Sequence, residues 1–519
     1  MSSRQRWTLV AACVGTFMLL IDITVVTVAL PQIQRELHAS FSDLQWVIDA
    51  YALTLASFLL TAGSAADRIG RRRVFVFGLA LFTLSSLACG LAGSPVALIV
   101  SRGFQGVGGA VLFATSLALL AEEFEGRQRG TAFGIWGATI GGAVAVGPLV
   151  GGVLTDGLGW EWIFLVNLPV GAAAIALTLA RVPESRDPAA RSIDVAGVLT
   201  FSTALFCLIF AIVRGNTEGW DSTLIVSLFA AAVVLLAAFV VVEARIREPM
   251  LDLMLFRKPA FGGASIVAFG LSAAMFSMFL YLVLYLQGVL GADPLEAGLY
   301  FLPLSLVSFF VAPVAGRFAA QFPVRLFFGI GLGTVGVGLL LMRAVDADSE
   351  WTALIPGFVA AGIGIGMVNP ALAQTAVGVV PRARSGMGSG INTTFRQVGI
   401  ATGTAVLGAI FQARVEDRLT NAGAVPRGRV AQAAEAISAG QTRGIPGAHE
   451  ASVGALDEIL IVAAIIAFVC AALGLALTRG SDFVAPDGSS EPSPNAVSSA
   501  SQSESATVAT ARATPNRGT

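Results

Sequence analysis

The chain has 519 residues, 55% of them hydrophobic and only 13% charged, with a formal net charge of −1. That balance excludes a string of soluble domains and a nucleic-acid binder, and it describes a polytopic, all-α membrane protein. The four cysteines (Cys13, Cys89, Cys207, Cys470) stand at unrelated spacings in apolar runs and the two histidines (His38, His449) lie in loops, so a disulfide framework, a metal site and a clustered enzymatic nucleophile are not expected.

The first apolar run, 8–30, is too long for a signal peptide, carries Asp22 and lacks a small-residue cleavage site, so it reads as a membrane span. Runs of about 20 apolar residues, the length that crosses a bilayer, then recur. Fourteen are expected, at 8–30, 43–65, 74–93, 96–119, 131–155, 163–181, 195–213, 222–242, 262–287, 295–317, 325–343, 353–379, 389–412 and 458–478. Alternate loops hold the arginine clusters: Arg68 with Arg71–Arg73, Arg127 with Arg129, Arg181 with Arg186 and Arg191, Arg245 with Arg247, Arg257 and Lys258, Arg317 with Arg325, and Arg382 with Arg384. Positive charge marks the inner face, which puts both termini in the cytoplasm and the protein in the cell membrane.

An internal repeat relates the halves. Residues 39–44 align with 292–297, and Gly63–Arg72 aligns with Gly316–Arg325 at the same offset. The organisation expected is a six-helix bundle over 1–185, a two-helix insert over 186–250, a second six-helix bundle over 251–480 and a disordered cytoplasmic tail over 481–519. The second bundle includes a long external loop, 413–457, with a short helix near Arg429–Ser438. Two parallel six-helix halves are a transporter design with a cavity at their interface.

Between the second and third spans, Gly63-Ser64-Ala65-Ala66-Asp67-Arg68-Ile69-Gly70-Arg71-Arg72-Arg73 packs four arginines into six residues. A topology anchor would explain the arginines, but not Asp67, one helical turn from Arg71, nor the two glycines. The counterpart at 316–325 keeps the glycine but has Ala320 in place of Asp67 and Pro323 in place of Gly70.

Charges inside hydrocarbon are costly and ask for a reason. Asp22, Asp49 and Arg102 fall in the outer halves of the first, second and fourth spans, and two carboxylates near one guanidinium form a site where a proton competes with a cation. The plainer alternative is a buried carboxylate that only ties helices together. Arg396, in the second half, either meets an anionic substrate group or reaches back to the surface. The fifth span carries Gly147-Pro148-x-x-Gly151-Gly152, denser in glycine than helix packing alone requires. Met275, Phe276, Met278, Phe279, Tyr281 and Tyr285 form an adaptable apolar stripe, which is more often a lipid or helix contact than a drug surface. Candidate cavity residues are Trp46, Gln105, Trp136, Phe276, Phe279, Tyr281, Gln287, Asn369, Asn392 and Arg396.

Taken together these segments resemble the major facilitator superfamily, and within it the fourteen-helix drug:proton antiporters of the EmrB/QacA type. The loop 63–73 is similar to the family signature between helices 2 and 3. Leu98-Ile-Val-Ser-Arg102-Gly103-Phe-Gln105-Gly106-Val-Gly108 resembles the helix-4 motif, and Gly147–Gly152 the antiporter motif of exporters. Asp22–Pro31, Trp160–Pro169 and Gly388–Gly399 resemble segments of the fourteen-helix branch. The resemblance implies a major facilitator fold of two six-helix bundles plus a two-helix insert. It also implies proton coupling through Asp22, Asp49 and Arg102. A cytoplasmic gate would comprise Gly63, Asp67, Arg68, Gly70, Arg71, Glu122 and Glu123, with Asp67 at a helix N-terminus of the second half and Arg71 at Glu122 or Glu123.

The function expected is export of a hydrophobic or cationic small molecule in exchange for protons, with the proton gradient as energy source, no cofactor, no nucleic acid and a functional monomer in the lipid bilayer. The tenth and thirteenth spans lack the acids that some members use for dicationic drugs, which favours monovalent lipophilic cations and neutral or zwitterionic metabolites. Rival readings are a dedicated exporter of one endogenous metabolite such as an antibiotic or siderophore, a proton-coupled importer, and a non-transporting receptor or assembly partner.

Overall fold

The computed structural model describes residues 1–39, 41–186, 194–246, 249, 251–319, 321–343, 349–380, 384–438, 440, 442 and 444–478. Ser40, Arg191, Arg247, Ala320, Arg382 and the tail 481–519 lie outside the described residues, as do the side chains of Arg127 and Pro148.

The described chain is helical throughout. In the first part run α1 (Ser3–Glu36), α2 (Phe41–Ile69), α3 (Arg71–Gly90), α4 (Pro95–Glu123), α5 (Gly126–Leu158), the single turn α6 (Trp162–Leu165) and α7 (Asn167–Arg181). Local chemistry sets their ends. The Ser2 hydroxyl accepts from Gln5 N at 3.1 Å while Gln5 Oε1 accepts from Ser2 N at 2.8 Å, a capping box that satisfies two orphan donors of α1. Ser94 caps α4 and Pro95 supplies a first-turn residue with no N–H to satisfy. Gly70 separates α2 from α3 at φ 129°, a conformation that a side chain would strain. Next come α8 (Val195–Glu218) and α9 (Thr223–Arg245), which pack on each other, α8 also touching α2. The α9 span is the least buried of the candidate membrane helices, as a lipid-facing helix should be.

The second part holds α10 (Pro259–Leu271), α11 (Ser277–Leu284), α12 (Pro294–Tyr300), α13 (Leu302–Phe318), α14 (Val324–Leu341), α15 (Ile355–Gly378), α16 (Ser385–Ala422), α17 (Val430–Ser438) and α18 (Ala448–Leu477). α10 and α11 form one span, Pro259–Val289, joined by a π-helical turn at Ser272–Phe276 and finished by another at Tyr285–Val289. α16 runs ten residues beyond the boundary expected at 412, and α17 stands where a short helix was expected.

Among the described residues twelve helices are long and apolar enough to cross a membrane, against fourteen apolar runs in the sequence. The two runs outside that set are 131–155, within α5, and 295–317. The apolar stretches recognised there, Leu149–Leu158 and Leu302–Phe318, are shorter. At 295–317 the break has a cause: Pro303 in the first turn of α13 has no N–H with which to continue α12, and Phe301 N turns instead to Gly298 O.

Within 1–182, α2 and α3 pack on α4, and α1 on α5; within 259–478, α13 and α14 pack on α15, and α18 on α10, α14 and α16. The two most extensive crossings between these groups are α2 with α16 and α5 with α13. Both are glycine contacts. A Cβ on Gly63 would overlap the carbonyl oxygen of Gly386, and a Cβ on Gly130 that of Gly316. Small residues let the backbones touch. Gly63 and Gly316 are the glycines that the internal repeat aligns. Along α5 the approach to α13 loosens, from 2.8 Å between a Gly134 Cβ and Ala312 O to 3.7 Å between a Gly141 Cβ and Ser305 O. The groups are therefore closest at the end that carries the arginine-rich loops.

Candidate functional site

Five helices of the first part converge on a buried polar network. Arg102, 2% exposed on α4, donates from Nη1 to Asp22 Oδ2 of α1 at 2.5 Å and to Gln105 Oε1 at 2.7 Å, and from Nε to Val47 O of α2 at 3.1 Å. Gln105 sits one turn beyond Arg102 on the same face, so its Nε2 donates to Asp22 Oδ1 at 2.9 Å and to Ser86 Oγ of α3 at 3.2 Å. Asn167, the first residue of α7, donates to Asp22 Oδ1 at 3.4 Å and to Ser86 Oγ at 3.0 Å. The guanidinium lies over the ring of Tyr51, 4.1 Å from its centroid, and 5.8 Å from that of Phe164. An ion pair taken out of water survives only when its remaining donors and acceptors are met, and here both carboxylate oxygens accept.

Asp49 does not join this pair. It is half-buried on α2, and the cation whose field reaches it is Arg214 of α8. The expected trio thus divides into an Asp22–Arg102 pair and a separate Asp49. Gln105 belongs to the pair's network rather than to an open cavity.

A second polar cluster joins α2 to α16. Asp67, 4% exposed, accepts from Gly386 N at 3.0 Å and Met387 N at 2.9 Å, two first-turn amides of α16 that have no partner within their own helix. The aligned peptide dipoles of α16 add attraction for the carboxylate. Arg71, one turn along the chain, donates to Asp67 Oδ1 from Nη2 at 3.0 Å and from Nε at 3.1 Å, and to Glu122 Oε2 from Nη1 at 2.7 Å. Glu123 pairs instead with Arg4 at 2.9 Å, and Arg68 donates to Pro249 O at 2.9 Å. Glu184 was not anticipated: it accepts from Arg72 N at 3.1 Å and lies beside Arg72 and Arg73, and its carboxyl fills the space that a Cβ on Gly70 would need.

The Gly147–Gly152 segment packs on α1. A Cβ on Gly147 would overlap Thr24 Oγ1, and one on Gly151 would come 3.2 Å from the Val25 Cα, whereas the Gly152 position is open. This places the segment against the stretch that presents Asp22.

The candidate cavity residues scatter. Trp136 is buried in the first part, donating from Nε1 to Thr16 Oγ1 at 2.9 Å, and Trp46 packs at a tilt on Phe210 of α8 under Arg214. Tyr281 is buried with its hydroxyl on Thr404 O at 2.8 Å, Asn392 is buried, and Gln287 is exposed. Phe276 and Phe279 are half-buried with centroids 5.9 Å apart. Arg396 of α16 donates from Nη2 to Asn369 Oδ1 of α15 at 2.6 Å, 5.8 Å from the Phe276 centroid. Ser86, Tyr51 and Asn167 were missed as site residues; a lone serine or tyrosine in an apolar run carries no signal, while the Asn167 segment was recognised only as a motif.

A family model described as Major Facilitator Superfamily matches residues 12–404. The tetracenomycin C resistance and export protein of Streptomyces glaucescens is 33% identical over 490 residues, 90% of either chain. The multidrug resistance protein Stp of Mycobacterium tuberculosis is 38% identical over 414 residues, 80% of this chain and 77% of its own. The crystal structure of the human organic anion transporter MFSD10 (TETRAN) aligns over 90% of this chain and 100% of that one, with a TM-score of 0.62 at 14% identity, a likeness of fold alone.

Proposed function

The chain belongs to the Major Facilitator Superfamily, a family of transporters rather than enzymes, and from that premise we propose that it is a proton-coupled antiporter exporting hydrophobic small molecules. In this reading it has the fourteen-helix form of the drug:proton antiporters: α5 and the α12–α13 pair also cross the membrane, and α8 and α9 are the two-helix insert. The arginine-rich loops and both termini face the cytoplasm. The names of the relatives, resistance and export proteins, support efflux.

The observation that carries the coupling is the buried contact between Asp22 and Arg102. A proton arriving at Asp22 cancels the carboxylate charge and releases Arg102 to Gln105 Oε1, Val47 O and the Tyr51 ring, all already in place. Protonation therefore rearranges contacts among α1, α2 and α4 without leaving the guanidinium bare. Because Thr24 lies against Gly147, the change at Asp22 is transmitted to α5, a helix that crosses to the second part. The Asp67–Arg71–Glu122 cluster holds the cytoplasmic side closed in the other crossing. Cargo and proton then bias one equilibrium between the same two states, each weakening the other.

The test is efflux of a fluorescent dye from proteoliposomes under an imposed pH gradient. Asp22→Asn is expected to abolish gradient-driven exchange, and exchange at the parental rate would refute the assignment. A second reading, a dedicated exporter of one endogenous product, is favoured by the relative named for a single compound. A substrate panel separates the two, since only a dedicated exporter would respond to one chemical scaffold.

A further inference from the structure

The first part balances its buried guanidinium with a carboxylate. The second part does not. Between the ends of its helices, over 259–289, 302–316, 326–341, 355–378, 385–413 and 459–477, the sequence holds one charged residue, Arg396. It lies about 16 Å along α16 from Ser385 at roughly 1.5 Å per residue, near the middle of a hydrocarbon layer about 30 Å thick. Only 7% of Arg396 is exposed. Among the described residues its side chain makes one protein hydrogen bond, from Nη2 to the neutral Asn369 side chain at 2.6 Å, and no carboxylate pairs with it. The charge is thus neither returned to the surface nor neutralised, an expensive arrangement unless something supplies the missing anion.

The place of this pair shows where an anion would come from. Asn369 faces the crossing between the two parts: a Cβ on Gly137 of α5 would stand 3.7 Å from the Asn369 Cβ. On the other side the π-helical turn brings Phe276 to the guanidinium. From Phe276 a run of rings continues through Phe279 at 5.9 Å to Phe301 at 5.1 Å. Phe276 and Phe279 are both partly accessible. A single π turn inside an otherwise α-helical span is a frequent mark of a functional position, because it rotates the side chains beyond it out of register.

We propose that Arg396, held by Asn369, binds the ionised acidic group of the exported molecule, and that Phe276 and Phe279 receive its aromatic body. The substrate class is then an aromatic monoanion, such as a carboxylate, sulfonate or acidic phenol, in place of the lipophilic cations and neutral or zwitterionic metabolites that the sequence favoured. The proposal rests on the export reading and narrows it to one class of cargo. A cation would meet Arg396 with no carboxylate of the second part to offset the repulsion, so the same residue that selects acids rejects amines.

The experiment uses the full-length protein in nanodiscs, with empty discs subtracted, and a matched pair of fluorescent probes. 1-Anilinonaphthalene-8-sulfonate carries the anion; N-phenyl-1-naphthylamine is the same framework without it. Saturable binding of the sulfonate tighter than that of the neutral probe by about 10-fold or more is expected, the scale of one charge-assisted contact in a dry site. Arg396→Gln should remove that preference, bringing the affinity of the sulfonate down to that of the neutral probe on the same variant. Asn369→Ala, which keeps the charge, should retain it. Equal affinities in the parent, or a preference that survives Arg396→Gln, would overturn the proposal. If Arg396→Gln does not give a monodisperse protein, the parental preference and its loss on Phe276→Glu, which places a carboxylate against the guanidinium, decide the matter. Binding that depends on Arg396 without vesicle transport would sink the export reading and spare the anion site; dye export with no anion preference would do the reverse.

Discussion

Replacing Asp67 by Asn tests the latch most directly, because the carboxylate meets four donors that an amide cannot all satisfy. Its oxygens accept from Arg71 Nε and Nη2 and from the amides of Gly386 and Met387, at 2.9 to 3.1 Å. In the Asp67→Asn protein the remaining side-chain oxygen can keep Arg71 and Gly386, but the new amide nitrogen would point a donor at the donor of Met387. One charge-assisted bond across the α2–α16 crossing is then lost, along with the carboxylate's attraction to the helix dipole. At about 1.5–3 kcal/mol for a bond to a charged group, the closed state loses roughly 2–3 kcal/mol relative to the open one. This is about a 30- to 150-fold shift in the equilibrium at 1.4 kcal/mol per factor of ten. Ser385 supplies the readout: it is fully buried beside the latch and its hydroxyl has no partner among the described residues, so Ser385→Cys in a cysteine-free background is nearly isosteric. Maleimide labelling of that thiol should accelerate by about one to two orders of magnitude on Asp67→Asn, in step with that shift. Substrate affinity should stay near the parental value while turnover falls. An unchanged labelling rate would refute the latch, leaving the glycine crossing alone to hold the helices; lost binding with intact turnover would refute it equally.

Arg102→Ala strands the Asp22 carboxylate in the bundle and should cost about 3–5 kcal/mol, read as a lower unfolding midpoint in detergent. The double variant with Asp22→Ala should recover much of that loss, and additive losses would mean that the pair contributes no coupling. Gly147→Ala should destabilise by about 1–3 kcal/mol through overlap with Thr24, with partial rescue by Thr24→Ala in the same melting assay. A Gly147→Ala protein as stable as the parent would show that α1 and α5 separate freely. Asp22→Asn and Arg396→Gln complete the set.

Several of these contacts could be read from sequence because the chemistry is short-range. Asp67 and Arg71 are one helical turn apart, and glycines with no local purpose announced a close backbone approach. Arg102 and Gln105 share a face by their spacing of three. What the sequence hid is lateral. Ser86 enters the Asp22 network from α3 and Asn167 from α7, and nothing in either run says which neighbour it faces. Asp49 looked like a partner of Arg102 because the depths agreed, but depth along an axis says nothing of rotation about it, and the cation whose field reaches Asp49 is Arg214. Trp136 and Trp46, expected in the cavity, are engaged by Thr16 and by Phe210 of α8 instead. The π turn at Ser272–Phe276 has no sequence signature, yet it brings Phe276 to Arg396.

The latch also bears on how the protein is made. Asp67 and the amide that receives it are 319 residues apart, an interval of roughly 16–64 s at about 5–20 residues synthesised per second. For that time a carboxylate destined for burial waits at the cytoplasmic end of α2 without the helix that will cap it. Arg71 and Glu122 are synthesised early, within the first quarter of the chain, and pair locally. The triad is therefore complete enough to shelter Asp67 before α16 exists. Shortening that wait is not possible, but removing the shelter is: Arg71→Ala should raise degradation of the nascent or newly inserted chain, a defect in yield that precedes any defect in transport.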